Sequence, residues 1–482
     1  MIRAATIPWF ARHEARLAWR DWLAMMQGGR RGRKSFAAVL IIVFVILLHG
    51  VAYAVLSPHL GELRPAKSSL LMLTGCGFLI WALMLSQAME SVTRAFYARA
   101  DLDLLLSSPA SGRSIFATRF AAIALTTTVM AMLVAGPFIN VAAALGGARF
   151  LAAYGVLAAM GMLAATAAIG SVALLFGLLG AKRTRFASQI VAAVVGAGFV
   201  IGVQAVAILS YGDMSRVAVF QSAEWVAASP EVDSWIWRPA LAAMGDAPGL
   251  IIMAAIAVAL FVATVAATAD GFALNALAAA GASRAGETAR GGEITWWETS
   301  VAATLRRKEW RLLARDPWLL SQTLMQLLYL APPALLLWRN FGGEGRGVQI
   351  LAPVLVMAAG QLAGGLAWLA ISGEDAPDLI ATAPVPAGVA LRAKIEAVMA
   401  AVAAPVAPFA AAIAFVSPWV ALVTLGGSAL AAAGATTVQM VFKAQAKRSN
   451  FRRRQTSSRI ATFAEALVSI SIAAAAGLAA VA

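Results

Sequence analysis

Charged and polar residues cluster along this chain, and between the clusters run apolar stretches of about 20 residues or more with no alternation of period two. The stretches lie at about 35–57, 68–90, 114–136, 150–180, 187–210, 249–275, 318–338, 348–372, 391–415, 417–442 and 458–481. At a rise of about 1.5 Å per residue, each can cross a hydrocarbon core of about 30 Å. Lipid offers no hydrogen bonds to an open backbone, and barrel strands are short and alternate in polarity. Runs of this length therefore predict helices. The fold class expected is all-α, a polytopic transmembrane helix bundle of about 11–12 spans.

Composition sharpens that picture. The 482 residues are 61% hydrophobic and 13% charged, against about 45–50% and about 25% in soluble domains, and the mean hydropathy is +0.80. Gly and Ala are frequent inside the runs, as helices that must approach closely in lipid require. The formal charge of +15 would suit nucleic acid only on a folded basic face, and no soluble domain is present to carry one. Membrane lipid is the expected partner. With the N-terminus in the cytoplasm, inside loops hold 30 Lys and Arg. Outside loops hold seven: Arg64, Lys67, Arg149, Arg216, Arg238, Arg339 and Arg346. That imbalance sets the orientation expected, in a bacterial inner (plasma) membrane. The first 34 residues lack the apolar core of a signal peptide, so no cleavage is expected. A single cysteine, Cys76, excludes a disulfide framework.

An internal repeat organises the chain. Glu14, Arg16, Leu17, Arg20 and Asp21 recur as Glu309, Arg311, Leu312, Arg315 and Asp316 at an offset of 295. Asp103, Leu104, Pro109 and Arg119 recur as Asp378, Leu379, Pro384 and Lys394 at an offset of 275. AKRTRF at 181–186 is echoed by AKRSNF at 446–451. Three echoes in one order predict two parallel halves. The division expected is 1–34, an N-terminal cytoplasmic segment; 35–275, a first half of six spans; 276–317, a cytoplasmic linker with a second interfacial helix; and 318–482, a second half with five clear spans. The missing twelfth span leaves three readings open: an outside C-terminus, a lost final span, or a re-entrant 458–481.

Residues 9–27 form an amphipathic pattern. Arg12, Arg16 and Arg20 stand at i, i+4 spacing, and Ala11, Ala15, Ala18, Trp19, Trp22 and Met26 cover the opposite arc. This suits a helix lying at the headgroup boundary, and Arg311 and Arg315 repeat it. The outer segment 211–247, with Trp225, Trp235 and Trp237, reads as short helices at the opposite interface. The segments 91–113 and 373–390 mix acids, bases, leucines and Pro between the second and third spans of each half. They read as surfaces for a soluble partner, carried by Arg99, Asp101, Asp103, Leu104 and Leu105 in the first and by Glu374, Asp375, Asp378, Leu379 and Ile380 in the second. No catalytic or metal constellation emerges. His13, His49 and His59 are scattered, Glu231 and Asp233 read as solvated loop charges, and Glu90, Arg119, Asp270, Lys394 and Glu465 sit near span ends, where they can snorkel or cap. No G-x-x-x-x-G-K-[ST] loop occurs. The chain is therefore expected to be no enzyme and to need no cofactor.

KEWRLLARDPWLL at 308–320, its echo at 14–23, and DLDLLLSSPASGRSIFATRF at 101–120 resemble the permeases of ATP-binding-cassette (ABC) exporters of the type-two class. Leu106 to Arg113 follows their loop into the third span, with Ser108 where Leu is common, and Gly388 stands where the first half has Arg113. The resemblance implies a permease of two fused six-span halves. Separate soluble ABC ATPase subunits would dock at coupling helices within 95–112 and 374–388, and a further permease copy is left open. A secondary transporter with parallel repeats and a non-transport assembly factor are the alternatives. The first would need charges deep in the spans.

Topology is directly measurable. Reporter fusions at Gly286 and Lys447 should read cytoplasm and one at Asp233 outside. A cytoplasmic signal at Asp233 would break the parallel repeat.

Overall fold

A computed structural model of the chain describes residues 34–58, 64–97, 111–206, 222–288, 300–315, 347–372, 384–442 and 459–481, with isolated positions 9, 12, 13, 16, 208, 328, 332, 335, 339 and 382. The described residues are overwhelmingly helical and contain no strand. The expected all-α polytopic bundle is what the chain forms. Nine helical lengths among the described residues are long and apolar enough to cross a bilayer, and the protein is an integral membrane protein. Of the eleven expected spans, 35–57 is helical as α1 (Lys34–Leu56) but is not among these nine, and 318–338 lies outside the described residues apart from isolated helical positions.

The chain divides into two compact units: Met1–Val200 with Arg216–Arg290, and Ile201–Ser215 with Gly291–Ala482. In the first unit, α2 (Lys67–Tyr97) and α3 (Gly112–Gly146) are followed by a 3-10 turn at Ala148–Leu151 and by α4 (Ala152–Val206), which belongs to this unit as far as Val200. Helix α4 is broken at Gly180, whose φ of 69° is one that only glycine adopts without strain. The Thr184 hydroxyl bridges the break, 2.8 Å from the Gly180 carbonyl and 2.9 Å from that of Leu175. Apolar lengths Ala148–Gly180 and Phe186–Val206 lie on either side.

Next come the short helices α5 (Ala223–Ala228) and α6 (Arg238–Ala243), with a 3-10 turn at Trp235–Trp237 between them. Short helices were expected here, but the tryptophans divide. Trp235 is 82% exposed, whereas Trp237 is buried with Leu70, Phe150 and Met244, its indole N–H donating to the Glu231 carbonyl at 3.0 Å. Glu231 itself pairs with Lys67 at 2.6 Å, an exposed contact worth at most about 1 kcal/mol. Helix α7 (Ala247–Thr288) continues well past its apolar length, which ends at Gly271.

Helices α1, α2 and α7 pack on α3. Close approach is built in. A Cβ at Gly161 of α4 would fall on Thr128 of α3 and Met84 of α2. A polar thread joins α1, α3 and α4: the Tyr154 hydroxyl donates to Asn140 Oδ1 at 2.9 Å, and Asn140 Nδ2 lies 3.3 Å from His49 Nε2. His49 thus answers α3 with a hydrogen-bonding atom.

The second unit contains α8 (Val301–Arg315), α9 (Gly347–Ser372), α10 (Ala387–Ala414), α11 (Pro418–Phe442) and α12 (Arg459–Val481). Helix α9 is its hub, touching all four others, and is the most buried of the nine apolar lengths. It carries no charged side chain. Leu362, Ala363, Leu366, Ala367 and Ala370 of α9 pack with Val398 and Val402 of α10 and with Leu313 of α8.

Candidate functional site

Helix α8 shows why a short basic segment folds onto this bundle. Glu309 and Leu313, one turn apart, are buried, while Arg306, Arg307, Trp310 and Arg311 are exposed. Ser300 caps its start, its hydroxyl accepting from the Ala303 N–H at 3.3 Å. Arg306, Arg307 and Arg311 thus face away from the buried Glu309 and Leu313. Arg12 and Arg16 are likewise exposed at helical positions. Arg20 and Trp22 lie outside the described residues, as does the side chain of Arg315.

The buried face of α8 ends in an ion-pair cluster. Glu309 Oε1 accepts from Lys394 of α10 at 3.0 Å and lies 3.3 Å from Lys308. The Lys394 ammonium also donates to the Ala370 carbonyl of α9 at 2.6 Å. One turn away, Glu396 holds Arg306 at 3.1 Å and Arg392 at 2.8 Å. The two sets differ in weight. Glu309 is 2% exposed and Lys394 13%, whereas the Arg392 side chain is 81% exposed. Exposed pairs contribute about 0–1 kcal/mol. Stripping one partner from a buried pair costs about 3–5 kcal/mol.

Placement gives the cluster its meaning. Lys394 ties the last turns of α9 to the first turns of α10 and both to α8. Between α9 and α10 lie Glu374, Asp375, Asp378, Leu379 and Ile380, the second expected docking segment, which is outside the described residues. One ammonium therefore closes the base of that segment.

The first unit closes the equivalent base differently. Arg99, Asp101, Asp103, Leu104 and Leu105 also lie outside the described residues, between α2 and α3. At the base, Phe96 of α2 stacks on Phe116 of α3, ring centres 5.9 Å apart, and meets Phe176 of α4 edge-on at 5.0 Å. Phe120 extends the cluster, and Arg119 beside it is 2% exposed. Ser111 caps α3 through the Ser114 N–H, and Arg113 reaches the Ala266 carbonyl of α7 at 3.5 Å. Arg119 and Lys394, paired by the repeat, are both turned into the protein rather than reaching for a membrane surface. Sequence reasoning passed over Arg306, Arg392 and Glu396. The signal for Glu309 and Lys394 was present, since each belongs to one of the echoes.

Glu465 of α12 departs from the snorkelling expectation in the same way. The Gln439 side-chain amide of α11 donates to its carboxyl at 2.5 Å, and a Cβ at Gly364 of α9 would fall on that carboxyl.

No family model, curated protein or solved structure matches the chain.

Lys394→Met should cost about 3 kcal/mol in unfolding of the detergent-solubilised protein, the low end for a broken buried pair because Lys308 stays beside Glu309. Adding Glu309→Gln should recover most of that loss, and Arg392→Ala should cost less than about 1 kcal/mol. Additive losses for the Glu309 and Lys394 changes would remove the pair from the account.

Proposed function

We propose that the chain is the membrane permease subunit of an ATP-driven exporter of the ABC type, coupled to separate ATPase subunits through the segments 95–112 and 374–388. The observation that carries this reading is the closed base beneath each segment. A coupling element must pass force from a soluble partner into the spans, which a slack loop cannot do. Where the two flanking helices are pinned together, force delivered to the segment reaches both spans at once. In one unit the pin is an aromatic stack, in the other an ion-pair junction that also recruits α8. Two halves that pin the same loop by unrelated chemistry support a requirement for stiffness at that place rather than inheritance of one contact.

The sequence holds no phosphate loop, so in this reading hydrolysis belongs to the partner, and the basic outer face of α8 supports a membrane-surface helix on the cytoplasmic side. A secondary transporter is the second reading. The one observation in its favour is the Glu465 carboxyl among α9, α11 and α12.

Capture of the partner ATPase by the purified chain tests the proposal. Leu104→Ala with Leu105→Ala, and separately Leu379→Ala with Ile380→Ala, should each weaken capture about thirty-fold. That corresponds to about 2 kcal/mol for truncated interface anchors, with normal levels of permease in the membrane. Unchanged capture by both double variants would return the segments to plain connecting loops.

A further inference from the structure

The contact between the second and fifth spans differs in kind between the two repeats. In the first unit these spans are α2 and the second arm of α4, and neutral groups join them. The Ser86 hydroxyl donates to the Ala192 carbonyl at 2.8 Å, and that of Thr93 donates to Ser188 Oγ at 2.9 Å. In the second unit they are α9 and α12. Here Gly360 and Gly364, four residues apart on α9, admit Ser469 and Glu465, four residues apart on α12. A Cβ at either glycine would collide with the facing side chain. Ser469 spends its hydroxyl on the Glu465 backbone carbonyl at 2.8 Å, so the carboxyl takes its neighbour from a third helix, Gln439 of α11, at 2.5 Å. Gln439 is itself buried.

Packing alone does not call for an acid at this place, since hydroxyls do the equivalent work in the first unit. A carboxylate partly withdrawn from water beside a glycine face is costly unless its charge is met. Helices α9 and α11 contain no Lys, Arg, His, Asp or Glu, and α12 contains only Arg459 besides Glu465. Helix α10, which packs on α9 and α11, bears Arg392, Lys394 and Glu396. These are engaged with one another, with α8 and with the Ala370 carbonyl. Among the described residues no cationic side chain pairs with Glu465. An amide N–H meets one oxygen and carries no charge.

We propose that Glu465, with Gln439 and against the Gly360–Gly364 face, is a binding site for a small monovalent cation, a proton or Na+. The site lies about a turn inside the end of the bundle at which α11 ends and α12 begins, within reach of ions from that side. The Gln439 amide also offers a carbonyl oxygen that can turn to a bound cation, so the pair can serve either ligand. The glycine face lets the carboxyl itself lie against the α9 backbone, with no side chain of α9 between them. The inference stands on this geometry and holds whether or not ATP drives the protein.

The test uses the purified full chain in phospholipid nanodiscs without any ATPase. One arm follows acidification by infrared difference spectroscopy. A protonated-carboxyl band that is lost in Glu465→Gln and moved in Gln439→Leu identifies the proton as ligand. The other arm replaces choline by Na+ at constant pH and follows thermal unfolding. A rise in the midpoint that is lost in Glu465→Gln identifies Na+. The inference is overturned if the native chain and Glu465→Gln respond alike in both arms. Should Glu465→Gln fail to accumulate, Gln439→Leu decides, an unmoved band together with an unmoved midpoint overturning it.

Discussion

Lipid removes the force that assembles most proteins. An apolar face loses nothing by staying against acyl chains, so these helices must be joined by close backbone approach and by polar contacts satisfied within the protein. Both devices recur through the fold. Gly161 brings α4 against Thr128 and Met84, and Gly360 and Gly364 bring α12 against α9. Thr93 with Ser188, Asn140 with Tyr154, and Gln439 with Glu465 supply the polar links. Interhelical hydrogen bonds in membranes average only about 0.6 kcal/mol, so no one of them holds the bundle. The Glu309–Lys394 pair is of another order, because parting it strands a charge where water does not reach.

The two units join the helices that flank the segment between second and third spans with different residues. Those helices are pinned together by phenylalanine rings in the first unit and by an ammonium shared among three elements in the second. The aromatic pin is insensitive to salt. The ionic one is tied to α8, so any movement of α8 reaches α9 and α10 directly. The second unit is thus the one in which a short basic helix shares atoms with two spans.

Much of the fold was legible in the sequence because its signal is one-dimensional. Length and apolarity place a span without reference to its neighbours, and most of the described spans lie within a few residues of the expected ones. Helix α3 is an exception: it runs on to Gly146, since its apolar run is interrupted only by Pro137 and Asn140, and Asn140 is satisfied by Tyr154. The site was less legible. The echoes named Glu309, Arg119 and Lys394, yet a charge near a span end reads alike whether it reaches water or turns inward, and only the neighbouring helix decides. Nothing in the α12 sequence told that Glu465 would meet a bare glycine face on α9 and an amide on α11. Trp237 and Trp235 make the same point, two residues apart with opposite exposures.

The Glu309–Lys394 pair also has a history in time. Glu309 is synthesised 85 residues before Lys394, so until α9 and α10 are made only Lys308 of its own helix stands beside its acid. Only when α10 enters the bilayer does the ammonium arrive that lets the carboxylate leave water. Helix α8 is thus locked later than it is made, and a chain whose α10 inserts wrongly leaves Glu309 without Lys394. The pair therefore depends on the arrival of α10 and can close before α11 and α12 are made.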